Sequence, residues 1–136
     1  MKILVDTSVW SEAFRRNHPV RGRHVLELAR LIDEGYAARI GPGRQELLSG
    51  IPDLNKFLQV KQILTPFPDE VLDSEDFENG AKCFNTCRSK GIQGSHTDFL
   101  ICAVALRREM PIFTVDKDFK SFAKILPINL HLAKAH

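Results

Sequence analysis

Two short apolar runs, each closed by an aspartate, constrain this chain more than any other feature. Ile3-Leu4-Val5 ends at Asp6, and Ile112-Phe113-Thr114-Val115 ends at Asp116. Between them apolar residues recur mostly at helical spacing, and strands separated by helices favour a parallel sheet covered on both faces. A carboxylate just past the C-terminal end of a buried strand lies on the rim where open α/β sheets build their sites. Asp6 and Asp116 can therefore converge although most of the chain separates them.

The spacing predicts a strand at Ile3–Val5, a helix over 8–16, and a second helix carried by Val25, Leu28, Leu31 and Ile32 up to Gly35. A strand at 37–40 follows, then a turn at Gly41-Pro42-Gly43 and a short helix over 44–49. Leu54, Phe57, Leu58, Val60, Ile63 and Leu64 mark another helix, and Pro66 and Pro68 break the pattern around a brief strand. A helix over 74–90 begins acidic, which suits the helix dipole. After Gly91 and Gly94, the segment from Ser95 opens a helix that is apolar nearly all round over 99–106, the pattern of a central buried helix. A strand at 112–115, a short helix at 119–123 and a strand at 128–131 complete the order.

With 136 residues the chain reads as one domain over 1–136, long enough to bury roughly 68–70% of the surface its unfolded form exposes. The longest mainly apolar stretch, 99–106, is too short to span a bilayer, and the N-terminus lacks the apolar core of a secretory signal, so the expected compartment is the cytosol. Cys83, Cys87 and Cys102 form no Cys-x-x-Cys pair, and buried packing explains free thiols more simply than zinc or redox chemistry. Charge is segregated: five arginines and two histidines stand against Glu27 alone between Arg15 and Arg30, while 69–78 holds six acids and no Lys or Arg. One face can thus attract a polyanion while another repels it, and two solvated surfaces are the plainer reading.

Asp6, Glu46, Asp98 and Asp116 each stand where a predicted element begins or turns. A cluster of hard oxygen ligands is what a divalent metal needs. Each also has a structural reading. Asp6 or Thr7 can cap the following helix, Ser95 with Asp98 fits a Ser-x-x-Asp capping box, and Asp116 suits a turn with Asp118 as an N-cap. Glu46 can be a solvated helix residue beside Arg44. What favours a site is the shared context, because an unpaired acid at a buried helix start is expensive unless something compensates it.

At this point the residues resemble a known family. Ile3-Leu4-Val5-Asp6-Thr7-Ser8-Val9-Trp10, Glu46-Leu47, the segment from Thr97-Asp98 to Ala105, and Ile112-Phe113-Thr114-Val115-Asp116-Lys117-Asp118-Phe119 look like the four acidic motifs of PIN-domain nucleases. The match is closest to the small toxins of VapBC toxin–antitoxin modules. That resemblance implies a PIN-like three-layer α/β sandwich with a central, mainly parallel sheet flanked by helices. It also implies metal-dependent ribonuclease activity, inhibition by a cognate VapB-type antitoxin, and a homodimer. Carried over residue by residue, Asp6, Glu46, Asp98 and Asp116 match the acidic quartet, and Asp118 the often-present fifth acid. Thr7 or Ser8, and Thr114, fall where hydroxyls usually orient the acids. Glu34 competes with Glu46, and the helix end at Gly35-Tyr36 favours Glu46.

The expected chemistry is hydrolysis of an RNA phosphodiester by a metal-activated water, with Asp6, Asp98 and Asp116 holding one or two Mg²⁺ or Mn²⁺ ions and Glu46 binding a second ion or orienting the water. Transfer RNA is among the substrate classes to test. Arg15, Arg16, Arg21, Arg23, Arg44 and Lys117 are the candidates for gripping phosphates. Trp10 reads as core, and His96 as unnecessary to catalysis. A phosphatase of the haloacid dehalogenase kind would need a second Asp where Ser8 stands, and no Gly-x-Gly-x-x-Gly follows the first strand to bind a dinucleotide. The competing function is a non-catalytic metal- or partner-binding module.

Overall fold

The computed structural model describes residues 2–14 and 22–133. Strand β1 (Ile3–Val5) lies at the centre of a three-stranded sheet, between β2 (Ala37–Ala38) and β3 (Ile112–Phe113). Both pairings are parallel, with Ile3 opposite Ala37, Leu4 opposite Ala38 and Ile112, and Val5 opposite Phe113. The expected last strand contracts to a single parallel bridge between Ile112 and Leu130, held by Ile112 N–H donating to the Asn129 carbonyl at 2.8 Å and His131 N–H to the Ile112 carbonyl at 2.7 Å.

Among the described residues seven helices surround this sheet: α1 (Thr7–Ala13), α2 (Arg23–Asp33), α3 (Gly41–Ser49), α4 (Leu54–Leu64), α5 (Ser74–Ser89), α6 (His96–Arg108) and α7 (Asp118–Phe122). The two-residue period of β1 divides them into layers. Ile3 and Val5 join Phe113 in one core with Val9, Trp10, Leu28, Leu31, Leu47, Val60 and Leu64 from α1 to α4. Leu4 points the other way, with Ala38 and Ile112, into a core built from α5, α6 and α7. Every residue from Phe99 to Ala105 is buried, as its continuous apolar run requires of a helix packed on both a sheet and α5. No helix of the described residues is long and apolar enough to cross a membrane.

Three expectations are corrected. Gly41-Pro42-Gly43 is the first turn of α3, not a separate turn, because a proline at the start of a helix gives up only an N–H that would lack a partner anyway. No strand forms around Pro66 and Pro68, neither of which has an N–H for a ladder. The buried Arg39 occupies that segment's carbonyls instead, donating to Leu64 at 2.6 Å and to Phe67. The acidic stretch 69–78 is also no bare repelling face: Asp73, Glu75 and Asp76 pair with Arg107, Asp76 pairs with Arg108, and Asp69 with Arg39 and Arg44.

Candidate active site

The site grows from the ends of β1 and β3. One residue past β1, Asp6 continues the ladder by donating its N–H to the Phe113 carbonyl at 2.9 Å, then caps α1. Its buried side chain takes the Ser8 hydroxyl at 2.7 Å and the Thr114 hydroxyl at 2.8 Å, both on Oδ2. Among the described residues Oδ1 receives no hydrogen bond. Ser8 Oγ and Thr114 Oγ1 are 3.2 Å apart, and each accepts a backbone N–H from the β3 end, Val115 at 3.2 Å and Asp116 at 3.0 Å. The two hydroxyls therefore couple the orientation of Asp6 to the path of the chain that delivers Asp116. Asp116 in turn accepts the Asp118 N–H at 2.9 Å at the start of α7, where Lys117 rather than Asp118 is the N-cap.

Asp98 enters from the first turn of α6. Its carboxylate accepts the Ser95 N–H at 3.1 Å while Ser95 Oγ accepts the Asp98 N–H at 3.1 Å, so the capping box is present. Capping does not exhaust the residue. Burial pushes its carboxyl up to about 6, the Ser95 hydrogen bonds oppose this, and the negative charges of Asp6 and Asp116 raise it further. That mutual repulsion puts Asp6, Asp98 and Asp116 in one electrostatic neighbourhood.

Glu46 is exposed on α3, and no ion pair engages it among the described residues. Its helix is tied to the site through Gly43, whose carbonyl lies 3.5 Å from the Thr7 hydroxyl. A side chain at Gly43 would begin 3.1 Å from that same oxygen. Glu46 follows by three residues on the same side of α3.

The cations predicted to grip RNA divide differently. Arg15, Arg16 and Arg21 lie outside the described residues. Arg23 and Lys117 are exposed. Arg44 is occupied structurally, with Nε 3.1 Å from Asp69 Oδ2 and Nη2 donating to the Phe67 carbonyl at 2.9 Å. Trp10 is core, as expected, at 5% exposure, with the Arg39 guanidinium 5.5 Å from its ring centre. Arg39 itself went unnoticed in the sequence, where a lone arginine between Ala38 and Ile40 in an apolar stretch was the available signal. Its burial beside Arg44 lowers the guanidinium to about 10.

The donor set fits a hard divalent cation. All its ligands are carboxylate or hydroxyl oxygens, and a cation would relieve the repulsion that raises Asp98. Among the described residues no group of three acidic, histidine or cysteine side chains is already arranged to hold an ion.

Comparison with known proteins identifies the family. The family described as PIN domain matches residues 3–125. The chain is 35% identical over 128 residues to VapC ribonuclease Mb1587 of Mycobacterium bovis, a match covering 90% of this chain and 92% of that protein. Among solved structures it is similar to VapBC2 of Rickettsia felis, with a TM-score of 0.76 at 17% identity over 96% of this chain and 98% of that one. VapBC-5 of Mycobacterium tuberculosis, a member of the VapBC family of toxin–antitoxin systems, superposes with a TM-score of 0.65 at 17% identity, covering 95% of this chain and 96% of that one.

Proposed function

Because this chain belongs to the PIN-domain family and, within it, to the VapC ribonucleases, we propose that it hydrolyses RNA phosphodiesters in a Mg²⁺- or Mn²⁺-dependent reaction and acts as the toxin of a toxin–antitoxin pair. The observation that carries the reading is the carboxylate of Asp6, fixed through Oδ2 by Ser8 and Thr114 at the C-terminal rim of the sheet, beside Asp98 and Asp116. When bound, the ion would supply an acidified water and neutralise charge on the attacked phosphate.

The remaining work falls to this chain's own residues. Asp6, Asp98 and Asp116 would hold the cation, directly or through water, and the Ser8 and Thr114 hydroxyls aim Asp6. Asp118 adds a negative charge at the rim, and Glu46 on α3 would bind a second ion or orient the attacking water. No protein nucleophile is needed, and Cys83, Cys87 and Cys102 offer none, since all three are buried and burial pushes their thiols up. A cognate VapB-type antitoxin, supported by the likeness to VapBC structures, and a homodimer complete the proposal.

The test is incubation of purified protein with total RNA, transfer RNA included, in Mg²⁺ or Mn²⁺. Expected are discrete fragments with 5′-phosphate and 3′-hydroxyl ends that disappear with a chelator and in Asp6→Asn. Intact RNA of every class with both metals would transfer the acidic cluster to a non-catalytic binding role.

A further inference from the structure

Residues 79–97 contain no aspartate or glutamate, yet they carry Lys82, Arg88, Lys90 and His96 before the chain reaches Asp98. Many other cations in this fold are consumed by internal acids, as Arg30 is by Glu27 and Glu34, and Arg107 by Asp73 and Asp76. Among the described residues Arg88 and Lys90 pair with no acid, and both are exposed. Their charge faces solvent at the tip of the α5–α6 hairpin.

An aromatic surface accompanies that charge. The exposed His96 ring lies parallel to Phe84, with centroids 4.9 Å apart and planes 15° from each other, while the Arg88 guanidinium sits 5.6 Å from the Phe84 ring centre. A cleft of about 70 Å³ opens beside them, lined by Phe84, Arg88, Gln93 and Gly94 among others. The hairpin is also locked to the acidic rim. A Cβ on Gly94 would lie 2.6 Å from Phe122 Cζ, and Phe122 ends α7, the helix that begins at Asp118.

We propose that this hairpin tip is a platform for single-stranded RNA, on which Arg88 and Lys90 hold backbone phosphates, His96 stacks a base, and the strand is led across the start of α6 to Asp98. Single-stranded RNA is recognised by this combination of unpaired cations and an exposed ring, because every base offers a flat face and every nucleotide a charge. His96 and Asp98 are two residues apart on a helix and point to opposite sides of its first turn, roughly 10 Å across. The stacked base therefore belongs to a neighbouring nucleotide rather than to the one that is cut. The identity of the polyanion rests on the ribonuclease reading above; the platform itself does not require catalysis.

The experiment is fluorescence anisotropy of a short, unstructured, fluorescein-labelled RNA with the full chain in chelator, at several salt concentrations. His96→Ala should weaken binding by about tenfold, the size of one base–aromatic stack, and His96→Tyr should restore it. Joint replacement Arg88→Ala and Lys90→Ala should flatten the dependence of log K on log salt by about 1.4, the slope of two phosphate contacts on a single strand. Both cations are exposed, so this variant tests binding in a folded protein even if His96→Ala loosens Phe84. Wild-type affinity and salt slope in all variants, or no binding by the wild type at low salt, would overturn the platform. Variants that bind and cut total RNA like the wild type would sink the platform and leave the nuclease standing. A wild type that binds with the expected sensitivities yet never cuts would do the reverse.

Discussion

Asp98 serves two roles that pull in opposite directions. As a cap it stabilises the start of α6 through Ser95, and as a neighbour of Asp6 and Asp116 it is a half-buried charge whose carboxyl is raised to about 6. Asparagine keeps an acceptor for the Ser95 N–H and removes the charge. A raised carboxyl value means that the folded protein binds more protons than the unfolded chain between about 4 and 6, so stability falls as pH rises through that window. Asp98→Asn should therefore abolish cleavage while leaving the melting temperature in chelator at pH 7 unchanged or higher. That advantage should vanish near pH 4. A large loss of stability at pH 7 would instead make capping the main role of Asp98. Thr114 is the complementary case. Thr114→Val preserves shape but removes a donor to Asp6 and the acceptor of the Asp116 N–H. Loss of a partner that orients ligands typically costs about 10–100-fold, so single-turnover cleavage should slow by that order while the fold, followed by circular dichroism, persists.

At the level of elements, the site depends on how tightly α7 and the loop before α6 are joined. Phe99 and Phe122 have ring centroids 4.7 Å apart, both are essentially fully buried, and Gly94 sits against them with no room for a side chain. Gly94→Ala must displace one of these rings or the loop. Overpacking of this kind costs about 1–3 kcal/mol, and urea denaturation should show the midpoint falling accordingly; an unchanged midpoint would mean the loop is free to move. The same reasoning explains α3. Its glycines and proline read as a turn, yet the helix begins at Gly41, where the proline costs no helical hydrogen bond, and Gly43 lets its first turn pass close to Thr7.

Across the whole molecule, the fully buried Glu27 ties α2 to the C-terminal segment. It forms a two-pronged pair with Arg30, at 2.8 and 2.9 Å, and lies 2.6 Å from His131 Nε2. The Arg30 guanidinium, aided by His131, holds its carboxyl down to about 2 against a burial that would raise it. A lowered carboxyl stabilises the fold above its ordinary value of 4.5, and that contribution disappears as pH falls toward 2. Glu27→Ala should destabilise the protein at pH 7 by about 1.5–3 kcal/mol, the usual worth of hydrogen bonds to a charged group, since the partly exposed Arg30 keeps Glu34, and by much less at pH 3. Equal losses at the two pH values would assign the effect to packing.

Nothing in the order of residues foretold this tie, since Glu27 looked like the lone acid of a basic face and His131 like the end of a strand. The sequence by itself determined the parallel α/β order, the buried α6, and the positions of Asp6, Asp98 and Asp116 at element boundaries. These follow from local periodicity and from where an apolar run stops, which are properties of neighbouring residues. Only the tertiary structure decided that Ser8 and Thr114 meet on Asp6, that Arg44 is spent on Asp69, and that Glu27 joins Arg30 to His131. Thr114 and Asp6, Arg44 and Asp69, and His131 and Glu27 lie far apart along the chain, and whether a charge is paired or free depends on which distant carbonyls and carboxylates folding brings within about 3 Å.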